Sequence, residues 1–408
     1  MSLFKQLKYI GPGLVIAATG IGAGDLVAAS VGGANFGYVI LWSALIGATL
    51  KYALNEGVAR WQLDSGLSII EGWRQHFPGW VSILFLIYLL VWSFVVGAAL
   101  SGACGLAAHA IFPFLSVPVW GIIQAIVALF LITFFKYSLF EKIMKLLIGF
   151  MFALVIITTI ISQPDWLQVF KGIIIPTIPS GSIWLILGII GGVGGSVTIL
   201  SYGYWIKEKG WNKSSYMSRV KIDLSVAYIL TALFGIAVMV IAADVKPEAI
   251  SGNNMVLSLA EKIGETTGKT GEWIFLLGFW GAVFSSMLGV WNGIPFLFAD
   301  FMKARQNKLQ IKLHSKTEKQ TYKRNYRLFL IYLSLLPLVF LFFQKPVWII
   351  IIYAVTGSLF MPFLAFTLYW LNNKKNKSLK NPTSINVLLW IAFLLFVVLM
   401  LFKLYEML

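Results

Sequence analysis

The sequence predicts an all-α polytopic membrane protein, and three observations carry that prediction. The 408 residues are 59% hydrophobic and only 12% charged, with a mean hydropathy of +0.84, whereas soluble domains average roughly 25% charged. Apolar stretches of spanning length recur from end to end, and about 20 such residues cross a hydrocarbon core of about 30 Å as a helix. The basic residues, which give a net charge of +16, gather in alternate connecting segments instead of spreading along the chain. A soluble fold cannot cover this much apolar surface, so the lipid bilayer is the first expected partner.

Taken in order, the apolar runs give about eleven spans in one domain covering 1–408: near 10–36, 39–58, 79–107, 117–135, 138–162, 182–206, 221–243, 272–300, 326–343, 346–371 and 384–405. Ahead of span 1 stand Lys5 and Lys8, but no short apolar core with a small-residue cleavage site follows, so span 1 is expected to be retained. Of the 32 Lys and Arg residues, 25 fall in the segments at 1–10, 59–78, 136–145, 207–221, 303–327 and 374–380. The intervening segments hold six (Lys171, Lys246, Lys262, Lys269, Lys345 and Lys403), and Lys51 lies inside span 2. Because basic loops stay on the cytoplasmic side, the N-terminus is expected inside and the C-terminus outside. The most basic stretch, 301–327, reads as a topology determinant that touches anionic headgroups, not as a nucleic-acid site. The longest outer segment, 244–271, is expected to be a solvated loop with a short surface helix. Cys104 is the single cysteine, which excludes an internal disulfide and a thiolate metal cluster.

Spans 1 and 6 are interrupted. Span 1 carries Gly20-Ile21-Gly22-Ala23-Gly24-Asp25, and span 6 carries Gly191-Gly192-Val193-Gly194-Gly195-Ser196. Each glycine costs a helix roughly 1 kcal/mol relative to alanine, so three or four within one turn favour local unwinding. These spans open two successive sets of five, near 10–162 and 182–371, with 384–405 as an extra helix. Matching interruptions in two halves point to an inverted-repeat transporter with its site at the bilayer midplane. Asp25 beside the first break is costly in lipid unless it is paired, hydrated or neutralised, which marks it for substrate or ion coordination.

Several of these stretches together resemble the opening of the Nramp (natural resistance-associated macrophage protein) metal-ion transporters. They are Gly11-Pro12-Gly13, the interrupted segment, Gly32-Gly33-Ala34-Asn35-Phe36-Gly37-Tyr38 and Leu41-Trp42. The similarity continues through span 2 to Ser65-Gly66 and includes the Gly-Gly-Val-Gly-Gly-Ser-Val run into the second half of span 6. The resemblance implies a LeuT-like fold, alternating access, substrate held between spans 1 and 6, and a place in a bacterial plasma membrane. The site residues depart from the family pattern. Where the family reads Asp-Pro-Gly-Asn in span 1, this chain has Gly22-Ala23-Gly24-Asp25, and where it reads Met-Pro-His in span 6, this chain has Thr198-Ile199-Leu200. Span 3, which carries proton-linked acids in the family, has no Asp or Glu between 80 and 105 here.

What remains is an oxygen-only donor set: Asp25, Thr198 and the backbone carbonyls of Gly22, Ala23 and Gly195. Carboxylate, hydroxyl and carbonyl oxygens suit Mg²⁺, Ca²⁺ or Mn²⁺, whereas a thioether favours softer ions. The expectation is therefore a carrier of a hard divalent cation, Mg²⁺ or Mn²⁺, working without the family's proton route. The alternative is a carrier of a small amine or amino-acid-like solute, with or without a coupling cation. Ser196, Tyr202, Ser285, Ser286, Asn55 and Glu56 are candidates for the pathway or a second ion. For Lys51, Glu56 and Arg60 an ion pair along span 2 is the plainer expectation. His76, His109 and His314 show no metal-ligand spacing, and no phosphate loop, zinc-protease motif or nucleophile elbow appears. Neither an enzymatic activity nor a resident cofactor is expected, and a monomer is compatible with every feature.

Overall fold

A computed structural model describes residues 10–192, 194–243, 255–308, 315–343, 359–374 and 377–406, together with 349, 352, 353, 356 and 357. Among them all regular structure is helical. In chain order the helices are α1 (Pro12–Gly20), α2 (Ala23–Phe36), α3 (Trp42–Ser65), α4 (Ile69–His76), α5 (Gly79–Ile111), α6 (Val117–Phe134), α7 (Tyr137–Ile161) and α8 (Trp166–Ile174). The second half continues with α9 (Ile183–Gly192), α10 (Ser201–Glu208), α11 (Met217–Ala242), α12 (Met255–Lys308), α13 (Ser315–Leu335), α14 (Met361–Asn372) and α15 (Thr383–Glu406). Short 3₁₀ turns at Gly37–Ile40, Val197–Leu200, Ser214–Tyr216 and Leu336–Phe343 join or extend them.

The ends follow from local chemistry. Pro12 opens α1, where its missing N–H has no partner to lose, and Gly66 closes α3 in the left-handed conformation. Two short helices were not among the expected elements. In α4, Ser68 and Glu71 form a reciprocal capping box, and Asp165 caps α8 by accepting from the amides of Leu167 and Gln168.

Among the described residues seven helices are long and apolar enough to cross a membrane, and the bent pair α1–α2 makes an eighth. The remaining expected spans fall short for separate reasons. Lys51, Glu56, Arg60 and Asp64 all lie on α3, span 10 is interrupted by residues outside the described set (346–348, 350, 351, 354, 355 and 358), and in α15 the continuous run of described side chains is Thr383–Val398. The expected outer loop at 244–271 is helical from Met255 onward, with its backbone broken at Gly268, and 244–254 lies outside the described residues. Within the bundle α12 packs on α5 and α7, α11 on α3 and α2, and α1 against both α11 and α12. Small residues allow these approaches: a Cβ on Gly33 would sit 2.2 Å from the Met239 carbonyl oxygen, and one on Gly13 would sit 2.3 Å from that of Asp223.

Candidate ion site at the paired helix breaks

Span 1 breaks at Ile21 and Gly22, where the backbone leaves the helical conformation, is extended at Gly22, and the axis bends by 56°. Span 6 breaks between α9 and the 3₁₀ turn at Val197, through Gly194 and Gly195, both at φ +87°. L side chains rarely adopt that conformation, which is why glycines stand there. The two breaks touch. A Cβ on Gly20 would lie 2.8 Å from the Gly194 carbonyl carbon, and one on Gly195 would lie 2.7 Å from Thr198 Oγ1 and 3.4 Å from the Gly20 Cα.

Asp25 enters from the span 1 side. It sits in the first turn of α2, where the positive end of the half-helix favours its charge, and it is 9% exposed. Its Oδ1 lies 3.2 Å from where a Cβ on Gly192 would be, so the carboxylate reaches the end of α9. The backbone amides of Gly22 and Gly194 face this carboxylate, as does the charge of Lys51. Its Oδ2 is buried without a hydrogen-bond partner, and so is Thr198 Oγ1. Each such atom costs roughly 1–3 kcal/mol when left unsatisfied, so two at one junction mark a place built to accept something. Gly22 lies in the break with the Ser286 hydroxyl close by, and Ser196 packs against Gly357.

The serines of α12 have a defined task here. Ser285 donates to the carbonyls of Ala18 (3.1 Å) and Ala282 (3.0 Å), and Ser286 donates to that of Thr19 (2.8 Å). They satisfy the last carbonyls of α1, freed where that helix ends. Asn55 donates to the Tyr228 hydroxyl at 2.8 Å, with its own Oδ1 buried and unpartnered. Tyr202 donates to Asp223 (2.9 Å) and Tyr204 to Asp300 (2.7 Å). His76 bonds the Gly72 carbonyl and His109 that of Leu115, while His314 lies outside the described residues.

The expected trio on span 2 is corrected by the structure. Glu56 and Arg60 pair, one turn apart and both buried, but Lys51 does not join them. Positions 51 and 56 lie five residues apart and face different sides of a helix, whereas 56 and 60 share a face. The Lys51 ammonium instead bonds the carbonyls of Gly191, at 3.0 Å, and Gly195, and it is fully buried. Two further carboxylates had no place in the sequence reading. Asp223 accepts from the amides of Gly11 (2.9 Å) and Gly13 (2.6 Å) as well as from Tyr202, and Asp300 holds Tyr204. A cavity of about 310 Å³ is lined by Gln62, Ser68, Tyr204, Asp300, Lys303 and Tyr322 among others, but by neither Asp25 nor Thr198. Among the described residues no three His, Cys, Asp or Glu side chains gather into a metal cluster.

Comparison with known proteins agrees with this architecture. The family described as natural resistance-associated macrophage protein-like matches residues 13–406. A mutant of the manganese transporter of Eremococcus coleocola superposes with a TM-score of 0.77 at 19% identity, over 99% of this chain and 87% of that one. Mhp1, a nucleobase-cation-symport-1 family transporter with bromovinylhydantoin bound, gives 0.60 at 13% identity over 96% and 92%. MhsT in complex with L-phenylalanine gives 0.53 at 16% identity over 95% and 97%. The fold is thus that of the LeuT-type carriers, with the two discontinuous helices in the places the glycines indicate.

Proposed function

Since the chain belongs to the natural resistance-associated macrophage protein-like family, a family of membrane transporters, we propose that it carries a hard divalent cation, Mg²⁺ or Mn²⁺, across the bilayer by alternating access. The observation that carries this reading is the junction of the two breaks, where a buried Asp25 oxygen and the Thr198 hydroxyl both lack partners. A dication arriving there meets the Asp25 carboxylate, one neutral oxygen and the carbonyls of Gly22 and Ala23, while the Gly195 carbonyl is bonded by the Lys51 ammonium, whose charge also faces Asp25. Mg²⁺ keeps several waters and commonly takes one or two carboxylates, so a single aspartate is enough for a partly hydrated ion. Asp25 supplies the attraction and Thr198 a replaceable ligand. Reorientation of the half-helices about the glycines then exposes the ion to the other side. No carboxylate lies on α5 between 80 and 105, so that stretch lacks the acids of the family's usual proton route. We place the N-terminus and the basic loops in the cytoplasm of a bacterial cell.

The test is uptake into proteoliposomes loaded with ion-sensitive dyes. Saturable Mg²⁺ or Mn²⁺ entry is expected, with internal pH nearly unchanged. Asp25→Ala should abolish saturable entry and Thr198→Ala should only weaken it, because water can replace a neutral oxygen. Thr198→Met introduces a thioether and should shift preference toward Mn²⁺ and Cd²⁺ over Mg²⁺. Entry of none of the divalent ions, or wild-type uptake by a folded Asp25→Ala protein, would overturn the reading. The single unclustered carboxylate favours one second reading, a small organic amine held by Asp25. Uptake of an amine, with no divalent uptake, would establish that reading instead.

A further inference from the structure

The carbonyls at the two breaks are satisfied in different ways. At the end of α1 the carbonyls of Ala18 and Thr19 receive neutral hydroxyls from Ser285 and Ser286. At the end of α9 the carbonyl of Gly191, in the last turn, and that of Gly195, in the unwound segment, converge on one ammonium. That ammonium comes from α3, is fully buried, and has the Phe396 ring of α15 5.7 Å away and the Asp25 charge nearby. The negative end of a half-helix, unwound carbonyls and an aromatic face are together what a monovalent cation requires in a dry interior. In carriers built on broken helices such carbonyl groups hold a separately bound coupling cation.

We propose that the Lys51 ammonium is a tethered cation filling a monovalent-cation site at the span 6 break, a site that takes a small inorganic cation or an alkylammonium once the lysine charge is removed. The protein thereby carries at this position, as part of its own chain, the charge that would otherwise be a diffusible co-ion. Its stem fits the role. The Cβ and Cγ of Lys51 lie 3.3 and 3.4 Å from where a Cβ on Gly194 would be, so the chain is threaded past a glycine with no side chain to obstruct it. The inference goes beyond the cargo proposed above and needs no knowledge of it.

Thermal unfolding of the purified protein in detergent provides a readout independent of transport, so it still decides if no transported ion is found. Wild type, Lys51→Arg, Lys51→Met and Lys51→Ala are each melted in choline, Na⁺, K⁺, methylammonium and butylammonium chlorides at equal ionic strength. Lys51→Met keeps the volume of the stem without its charge, and Lys51→Ala opens room for an alkylammonium. The expected result is a saturable rise in melting temperature for Lys51→Met with Na⁺ or methylammonium, and for Lys51→Ala with butylammonium. At ligand well above its dissociation constant the rise should be at least about 2 °C over choline. Wild type and Lys51→Arg should show no cation preference. Identical melting of the Met and Ala variants in every salt would overturn the proposal. So would an equal cation response in wild type, or failure of both variants to fold in any of the cations.

Discussion

The foot of α1 is held by one side chain whose removal has a calculable effect. Asp223, 1% exposed on α11, takes the amide of Gly11 on one oxygen, and the amide of Gly13 and the hydroxyl of Tyr202 on the other. Hydrogen bonds to a charged group contribute about 1.5–3 kcal/mol each, and a buried donor left without its acceptor costs about 1–3 kcal/mol. Asp223→Asn keeps the shape but offers one acceptor oxygen, so its new NH₂ must face a donor. A loss of about 2–5 kcal/mol of stability is expected. Tyr202→Phe removes one of the three bonds and leaves both amides paired, for a loss of about 1.5–3 kcal/mol. In the Asp223→Asn background Tyr202→Phe should cost less by at least about 1 kcal/mol, because the partner is already impaired. Chemical or thermal unfolding of the purified single and double variants measures all three. An Asp223→Asn protein within about 0.5 kcal/mol of wild type, or strictly additive single and double variants, would refute the assignment.

Other expectations follow from the same contacts. Gly195→Ala places a side chain at φ +87°, 2.7 Å from Thr198 Oγ1, and should lower the melting temperature together with saturable uptake, the backbone strain alone costing about 1–3 kcal/mol. Arg60→Ala leaves Glu56 buried without its partner and should cost about 3–5 kcal/mol. Replacing both as Glu56→Gln with Arg60→Met should recover much of that loss in an unfolding titration, and no recovery would mean the pair is not the source. Asp64 lies past the membrane-crossing part of α3. Burial alone would raise its carboxyl, but the Ser378 hydroxyl, the Lys377 ammonium and the Leu379 amide outweigh burial and hold it below the usual carboxylate range. With the folded value depressed, its contribution is complete above the unfolded carboxylate value of about 3.9 and is lost as pH falls through the lower folded value. The stability gap between wild type and Asp64→Asn should therefore be flat above about pH 5 and close below about pH 4. A gap unchanged down to pH 3 would contradict the pairing.

How much of this was legible in the sequence depends on the range of each interaction. The spans could be read because lipid imposes a local rule, a run of apolar residues as long as the core is thick. The breaks could be read because clustered glycines weaken a helix, and in span 6 Gly194 and Gly195 stand where a φ of +87° needs them. Asp25 could be marked by its cost in lipid. The short helices α4 and α8 were missed although Ser68, Glu71 and Asp165 carry their caps, since eight or nine residues give too little periodicity to separate them from a loop. The partners of Lys51 and Asp223 leave no local trace at all. Gly191 lies 140 residues from Lys51, and Gly11 and Gly13 lie 212 and 210 residues from Asp223. In each of these bonds the partner is a backbone group, which has the same chemistry at every position; only the Tyr202 hydroxyl on Asp223 is a side chain. A pattern of side chains shows a lysine and a glutamate on one helix and suggests their pairing; it cannot show that a distant helix end offers its carbonyls. Those carbonyls are free only because the glycines unwound span 6. The feature that the sequence does display therefore created the partners that it conceals, and the residues most worth testing in such carriers are the buried charges whose nearest opposite charge in sequence lies on the wrong helical face.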